Sequence, residues 1–332
     1  MTMRSPLLEV NHLHTHFFTK SGVVKAVDGI NFKINPGETL GIVGESGSGK
    51  SITAMSILGL IPSPPGKIVD GEILFKGENL LHKTEKQMRN IRGKEIAMVF
   101  QDPMTSLNPV FTVEKQLVET ILAHENFTKK QAKARAIELL HMVGIPDPKK
   151  RLKTYPHEFS GGMRQRVMIA IALSCSPSLL IADEPTTALD VTIQAQILEL
   201  FKKMQTELNM ATIMITHDLG VVAEVCDNVM VMYAGKPAEY TNTKTLFDHG
   251  KHPYTLGLMN SIPKITAERQ NLEAIKGAPP DLRDLPKGCS FAPRCNHVMK
   301  NCLSIDPELK AINDHHSVRC LLYEESKKAV TT

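Results

Sequence analysis

The sequence predicts an α/β fold with a parallel-sheet core, a helical insertion and a loop-rich carboxyl-terminal extension. Short apolar segments that look like buried strands alternate with helical segments through the first 250 residues, which is typical of a parallel sheet. A glycine-rich segment connects one of these strands directly to a helix. Beyond residue 250, prolines recur and the pattern contains no long periodic helix.

The composition is that of an ordinary globular protein. The chain has 332 residues, 42% of them hydrophobic, which suits one large and one smaller domain or two domains of similar size. Its 39 basic and 35 acidic residues are mixed, and the net charge of +4 does not favour a nucleic-acid partner. We find no apolar run long enough to span a membrane and no leader pattern, so we expect a cytosolic chain.

The predicted elements alternate along the chain. Strands are predicted at residues 7–18, 29–34, Thr39–Val43, 96–100, Leu179–Asp183, Ala211–Thr216 and Asn228–Tyr233. Helices are predicted at residues 51–60, 161–174 and 192–208, with two more between residues 112 and 142 that are separated at 126–128. These two lie in a segment, about residues 102–160, that we interpret as a helical insertion between core strands.

The glycine-rich segment predicts a phosphate-binding loop. It fits the pattern G-x-x-x-x-G-K-[ST] and comprises Gly44, Glu45, Ser46, Gly47, Ser48, Gly49, Lys50 and Ser51. Glycines allow successive backbone N–H groups to turn toward one anion, and the following helix adds its positive amino terminus. We expect Lys50 to contact the β- and γ-phosphates of a nucleotide and the Ser51 hydroxyl to bind Mg²⁺, which alone would also suit a kinase, a GTPase or a helicase.

Two acids follow a later strand and predict the rest of a hydrolytic site. The segment Leu179–Asp183 is apolar until Asp183, which at a strand end can hold Mg²⁺ directly or through water. Glu184 comes one residue later, where it can polarise a water that attacks the γ-phosphate. The alternative for Glu184 is a solvated acid at a strand end.

A second anion site is predicted shortly before the acidic strand. Ser160 can cap a helix whose first N–H groups, with Gly161 and Gly162, are open to an anion. One nucleotide cannot easily use both this site and the glycine-rich loop within one subunit. We therefore expect this helix start to contact a nucleotide that is held by another subunit, with an ordinary capped helix as the alternative.

These motifs, in this order, resemble the nucleotide-binding subunits of ABC transporters over residues 7–262. The resemblance implies a P-loop ATPase with a β subdomain and a helical subdomain. It further implies roles for Gln101 in sensing Mg²⁺ and coupling to membrane subunits, for Asp190 at a dimer interface, for His217 near the γ-phosphate, and for Phe17 in stacking on adenine. The adjacent Phe18 is an alternative candidate for stacking on adenine. Residues 160–165 match the signature motif, with Met163 where glutamine is commoner.

Longer stretches are similar to the ATP-binding subunits of the oligopeptide/dipeptide importers, and most of all to their D-type subunits. They are residues 101–109, 182–196 and 251–255. This resemblance implies an ATPase domain at 7–250 and an importer-type extension at 251–332. It also implies a second ATPase subunit, two transmembrane permease subunits, an extracytoplasmic peptide-binding protein and a peripheral place on the cytoplasmic face of the membrane. The alternatives are uptake of nickel or another small solute, and a soluble ABC ATPase without a transport role.

Four of the six cysteines lie in the last 44 residues: Cys289, Cys295, Cys302 and Cys320. Disulfides are not expected in a cytosolic chain, and the absence of a C-x2-C pair weakens a zinc ribbon. Some members of the resembled subfamily carry a [4Fe–4S] cluster at a matching tail, so that cluster, a structural zinc ion and plain thiols all remain open. We expect Cys175 and Cys226 to be core residues on helical stretches, and His315 and His316 to be a solvated pair.

Overall fold

The structure is a computed structural model that describes residues 5–102, 106–187, 189–261 and 275–323. The chain divides into two compact units. Of the described residues, the first unit contains 5–8, 33–39 and those between 74 and 215, and the second contains 9–32, 40–73 and those between 216 and 323. In the ranges described, no helix combines the length and the apolar character that crossing a membrane requires.

Strands and helices alternate along the described chain. The strands are β1 Leu8–Thr19, β2 Gly22–Ile34, β3 Thr39–Val43, β4 Gly66–Phe75, β5 Glu78–Asn79, β6 Ile96–Val99, β7 Leu179–Asp183, β8 Ala211–Thr216, β9 Asn228–Tyr233, β10 Lys236–Asn242, β11 Lys310–Asn313 and β12 His316–Val318. The α-helices are Lys50–Ile57, Glu85–Ile91, Val113–His124, Lys129–Met142, Pro148–Arg151, Gly161–Ala172, Val191–Leu208, Leu219–Val225, Thr243–His249 and Pro253–Asn260.

In the first unit, β6, β7 and β8 form a parallel sheet in which β7 lies between the other two. Every residue of β7 and β8 is buried. Parallel strands covered on both faces need such uninterrupted apolar runs, which is why β7 and β8 were predictable to the residue. The predicted pair of helices in the insertion is confirmed as Val113–His124 and Lys129–Met142. Each begins at a threonine whose hydroxyl accepts a backbone N–H bond, a standard start signal.

In the second unit, β3 pairs with β9 in parallel, and β10, β12 and β11 extend that sheet by antiparallel pairing. A further sheet has the order β2-β1-β4. The predicted strand at 29–34 is the end of the longer β2, with Ile30, Phe32 and Ile34 buried on one face as expected. Strands β4, β5, β10, β11 and β12 were not predicted. Strands β5, β10, β11 and β12 carry little apolar alternation, and Gly71 interrupts the apolar residues of β4.

A buried glutamate ties the carboxyl-terminal extension to β10. The carboxylate of Glu239 accepts the backbone N–H groups of Lys251 at 2.8 Å and His252 at 2.9 Å, and it lies 2.6 Å from Nε2 of His316. Glu239 is fully buried and the His316 side chain is 2% exposed. The prediction of a solvated pair is therefore wrong for His316 and confirmed for the exposed His315. His315 lies in the turn before β12, whereas His316 is the first residue of that strand and is buried.

The two cysteines outside the carboxyl-terminal group differ in their surroundings. Cys226 is buried as predicted, and a Cβ atom at Gly41 would come within 2.9 Å of its sulfur. Burial raises the pKa of the Cys226 thiol to about 12. Cys175 is only half-buried and follows the end of the helix Gly161–Ala172, so its predicted core position on a helix is wrong. Cys175 lies in the turn after that helix, next to the exposed Ser176.

The contact between Glu239 and His316 predicts a measurable loss of stability. We expect His316→Leu to lower the free energy of unfolding by about 2 kcal/mol, because it removes a donor from a buried carboxylate. Urea unfolding followed by circular dichroism measures the change. His315→Leu is the matched control, and an equal effect of the two substitutions would contradict the assignment.

Candidate functional site

The glycine-rich loop leaves β3 and enters the helix Lys50–Ile57, as the sequence predicts. Gly44 and Gly49 have positive φ values of 153° and 103°. A Cβ atom at Gly44 would lie 2.3 Å from the carbonyl oxygen of Met232, and one at Gly49 would lie 2.2 Å from that of Ala26. Glycine is therefore required at both positions by backbone shape and by close approach.

The ammonium group of Lys50 is held inside the loop. Its Nζ atom donates to the carbonyl oxygen of Gly44 at 2.7 Å and to that of Glu45 at 2.9 Å. The residue is only 5% exposed. These two carbonyl oxygens orient the ammonium group within the loop.

Two residues that sequence reasoning missed contact this loop. The phenol oxygen of Tyr254 accepts the backbone N–H of Glu45 at 2.8 Å. The guanidinium of Arg294 forms two parallel bonds to the Glu45 carboxylate, at 2.6 Å and 2.9 Å. Tyr254 lies in the segment 251–255, and the family resemblance of that segment was the one sequence feature that could have indicated a role for it. No sequence pattern marked Arg294.

The helix that presents Tyr254 is anchored at its first turn. His252 precedes the helix Pro253–Asn260, and its Nδ1 atom accepts the backbone N–H of Tyr254 at 3.0 Å. Burial lowers the pKa of His252 to about 4. A neutral imidazole is needed for this cap, because only an unprotonated ring nitrogen can accept a hydrogen bond.

In the first unit, the structure brings Gln101 and Glu184 together. Glu184 follows β7 directly, with a positive φ of 47°. Its Oε2 atom accepts bonds from the Gln101 side-chain amide at 2.9 Å and from the Thr187 hydroxyl at 3.0 Å. Asp183, the last residue of β7, is 6% exposed. The Glu184 carboxylate is therefore oriented by two side chains rather than free in solvent.

The predicted capped helix is present in the same unit. Ser160 Oγ accepts the backbone N–H of Met163 at 3.4 Å, and the helix runs from Gly161 to Ala172. A Cβ atom at Gly161 would meet nothing within 4 Å, so this helix start is open. Buried Gln165 donates to the carbonyl oxygen of Pro185 at 2.6 Å, which ties the helix to the segment after Glu184.

The remaining predicted residues occupy exposed or half-buried positions. Asp190 caps the helix Val191–Leu208 by accepting the N–H of Ile193 at 2.9 Å, whereas Ala188 lies outside the described residues. His217 is exposed just after β8. Phe17 is half-buried beside Gly66, and Phe18 is 52% exposed. His217, Phe17 and residues 44–51 belong to the second unit.

The four carboxyl-terminal cysteines lie close enough to interact electrostatically, and two of them share a small apolar cluster. Cys302 is buried with Ala292 and Leu321, and Cys289 packs against them. Backbone N–H groups point at two of the sulfurs, that of His297 at 3.3 Å from Cys295 and that of Met299 at 3.4 Å from Cys302. Burial, followed by the charge of neighbouring thiols, raises the pKa of Cys320 to about 11. Burial also raises the pKa of Cys289 and of Cys295.

The spacing of these sulfurs is wider than one metal ion requires. Among the described residues, one group has three possible metal-ligand atoms within 4.8 Å of one another, and it consists of His14, His16 and Asp28. No three of the four cysteine sulfurs are that close. Two sulfurs bound to one zinc ion at about 2.3 Å each cannot be more than about 4.6 Å apart. Asp28 itself lies 3.3 Å from the ammonium of Lys236, so that group is already an ion-pair network.

The glycine-rich loop with its buried lysine, the acidic strand end and the capped glycine helix define a P-loop ATPase. A family model described as ABC transporter matches residues 27–187, and one described as the carboxyl-terminal region of oligopeptide/dipeptide transporters matches residues 238–302. The chain belongs to the ABC transporter family, among the oligopeptide/dipeptide transport ATP-binding proteins, and is an ABC-type ATPase.

Individual relatives agree with this assignment over nearly the whole chain. The oligopeptide transport ATP-binding protein AppD of Bacillus subtilis is 54% identical over 97% of this chain and 98% of its own length. The dipeptide transport ATP-binding protein DppD of the same organism is 53% identical over 96% and 95%. A solved structure of the ATP-binding cassette MJ0796, bound to ADP and Pi, superposes with a TM-score of 0.65 at 26% identity. It covers 71% of this chain and 98% of that one.

The neutral cap at His252 predicts a pH dependence. The imidazole of His252 has a pKa near 6.5 in the unfolded chain and about 4 in the folded chain. Between these two values the unfolded chain binds a proton that the folded chain does not bind. Stability is therefore lost as the pH falls through this window. Between pH 7 and pH 5 we expect wild type to lose about 2 kcal/mol more than His252→Asn, which keeps a capping oxygen without titrating. Urea unfolding at both values tests this, with His315→Asn as control, and an unchanged pH slope in His252→Asn would refute it.

Proposed function

We propose that this chain powers the import of di- and oligopeptides across the cytoplasmic membrane by hydrolysing ATP. The observation that carries the catalytic part is the orientation of Glu184 by Gln101 directly after the acidic end of β7. The peptide cargo is supported by relatives named as oligopeptide and dipeptide transport proteins. The chain would act at the cytoplasmic face of the membrane, as one of two ATP-binding subunits on two permease subunits.

The nucleotide would be held by residues of the glycine-rich loop. Backbone N–H groups of residues 44–51 suit the phosphates, and the ammonium of Lys50 suits the charge of the β- and γ-phosphates. The hydroxyl of Ser51, the carboxylate of Asp183 and the amide oxygen of Gln101 are the hard oxygen ligands that Mg²⁺ prefers. The magnesium ion would neutralise phosphate charge. Phe17 would stack on adenine.

Hydrolysis would depend on a positioned water. Glu184 would accept a proton from that water as it attacks the γ-phosphate, and the bonds from Gln101 and Thr187 would hold the carboxylate for this task. His217, exposed at the end of β8, would contact the γ-phosphate side of the site. A carboxylate held by side-chain donors loses little rotational freedom when the water arrives.

The open helix start would serve a nucleotide bound to a second ATPase subunit. Ser160, Gly161 and Gly162 present N–H groups at a helix amino terminus, where anions bind well. Asp190 would lie at the interface between subunits. ATP would contact both surfaces only when the subunits close, so its binding would shift the population toward the closed dimer. Hydrolysis would reverse this, and the segment around Gln101 would pass the motion to the permease subunits.

The test is ATP turnover by the complex with its permease subunits, reconstituted with an extracytoplasmic binding protein and peptide. We expect peptide to stimulate wild-type turnover, and Glu184→Gln to lower turnover about a hundredfold or more while ATP still binds. Glu199→Gln, on the exposed face of the helix Val191–Leu208, is the control with the same change of charge. Full turnover in Glu184→Gln would contradict the catalytic assignment. Stimulation by nickel and not by peptide would overturn the cargo, and failure to bind permease subunits would overturn the transport role.

We further propose that Cys289, Cys295, Cys302 and Cys320 hold a [4Fe–4S] cluster rather than a single zinc ion. Three observations support this: the chain offers four thiols, backbone N–H groups are directed at two of the sulfurs, and the sulfurs are spaced too widely for one zinc ion. When bound, the cluster would join loops that have a small core of their own, since the apolar residues packed around the cysteines are few.

Metal analysis of the full-length chain, purified without oxygen, tests this proposal. We expect about four iron and four sulfide per chain, as the cluster formula requires, and loss of both in Cys302→Ala. Cys226→Ala removes a buried cysteine elsewhere and is expected to retain the cluster. One zinc per chain, or four reactive thiols and no metal, would refute it.

A further inference from the structure

Glu45 is the point at which the carboxyl-terminal part of the chain reaches the glycine-rich loop. Its backbone N–H is bound by Tyr254 and its carboxylate by Arg294. Its carbonyl oxygen in turn accepts a bond from the ammonium of Lys50 at 2.9 Å. The three polar groups of this one residue thus connect Arg294 and Tyr254 to the lysine expected to bind phosphate.

Arg294 is fixed by an unusually complete set of bonds. Its side chain is 6% exposed, and both terminal nitrogens bind Glu45. The same guanidinium donates to the carbonyl oxygens of Lys276 at 2.9 Å and Gly277 at 3.1 Å. A planar guanidinium held on several sides cannot swing away without leaving carbonyl oxygens unpaired, so its charge stays beside Glu45.

The position of Glu45 makes this charge important. A carboxylate within a phosphate-binding loop opposes the approach of a triphosphate, since like charges repel strongly where water is partly excluded. Glu45 is 27% exposed, so solvent screens its charge only in part. Arg294 supplies a bidentate counter-charge, which is the strongest pairing that a carboxylate makes with a side chain.

We propose that Arg294 and Tyr254 are positioning residues for the nucleotide loop. Arg294 neutralises Glu45 and both residues hold it in place, so that Lys50 remains aligned for phosphate. This inference rests on the proposed nucleotide-binding role of residues 44–51. Arg294 lies in the short helical turn between Cys289 and Cys295, so the four-cysteine segment itself acts on ATP affinity.

Equilibrium binding of a fluorescent ATP analogue to the full-length chain tests the charge. We expect Arg294→Gln to raise the dissociation constant about tenfold, and Glu45→Gln alone to lower it, because the carboxylate that opposes the triphosphate is removed. The double substitution should return it to within about threefold of wild type, because the repulsive charge is gone. A merely structural role of Arg294 predicts no such rescue. Arg283→Gln removes an exposed arginine from the same part of the chain and is the control.

Steady-state kinetics of the assembled transporter test the alignment of the loop. We expect Arg294→Gln to raise the KM for ATP about tenfold with a much smaller change in kcat, which is the mark of lost binding rather than lost chemistry. Tyr254→Phe, which removes only the phenol oxygen, should raise KM about threefold. Tyr323→Phe is its control, since that hydroxyl donates to a backbone carbonyl away from the loop.

The outcomes separate this inference from the proposed function. Wild-type affinity in Arg294→Gln, or no rescue by Glu45→Gln, would overturn the positioning role and leave the ATPase assignment intact. A wild-type chain that binds no ATP would overturn both.

Discussion

The arrangement of the nucleotide loop depends on the two bonds from the Lys50 ammonium to the carbonyl oxygens of Gly44 and Glu45. They close the loop on itself, so the positive charge is oriented before any ligand arrives. This closure is possible only because residues 44 and 49 are glycines, since a Cβ atom at either position would lie within 2.3 Å of a backbone carbonyl oxygen. The buried strands around the loop supply the rigid frame that such a tight turn needs.

Local rules explain what could be predicted from the sequence. The glycine-rich loop and the acidic strand end lie within single short segments, and strands β3, β7, β8 and β9 are continuous apolar runs with their predicted bounds. The capping role of Ser160 follows from the residue type alone. Such features depend on neighbours in the chain, which the sequence displays directly.

Long-range contacts explain what could not be predicted. Glu45 and Arg294 are 249 residues apart, and Glu45 and Tyr254 are 209 apart. No spacing rule connects positions at such distances, since their meeting depends on how the sheet β10-β12 and its flanking turns fold. The burial of His316 was missed for the same reason, because its partner Glu239 is 77 residues away. Gln101 and Glu184 are 83 residues apart, and the hydrogen bond between them was likewise not predicted.

The bidentate contact between Arg294 and Glu45 has a consequence for what counts as the minimal ATPase. The matched ABC transporter region ends at residue 187, and the predicted ATPase domain ends at 250, yet the counter-charge of the nucleotide loop comes from residue 294. A fragment that ends with the ATPase domain would carry an uncompensated acid in its own active loop. The carboxyl-terminal extension thus contributes a charged residue to the ATPase itself. The domain defined by sequence similarity therefore ends before a residue on which the charge balance of its nucleotide loop depends.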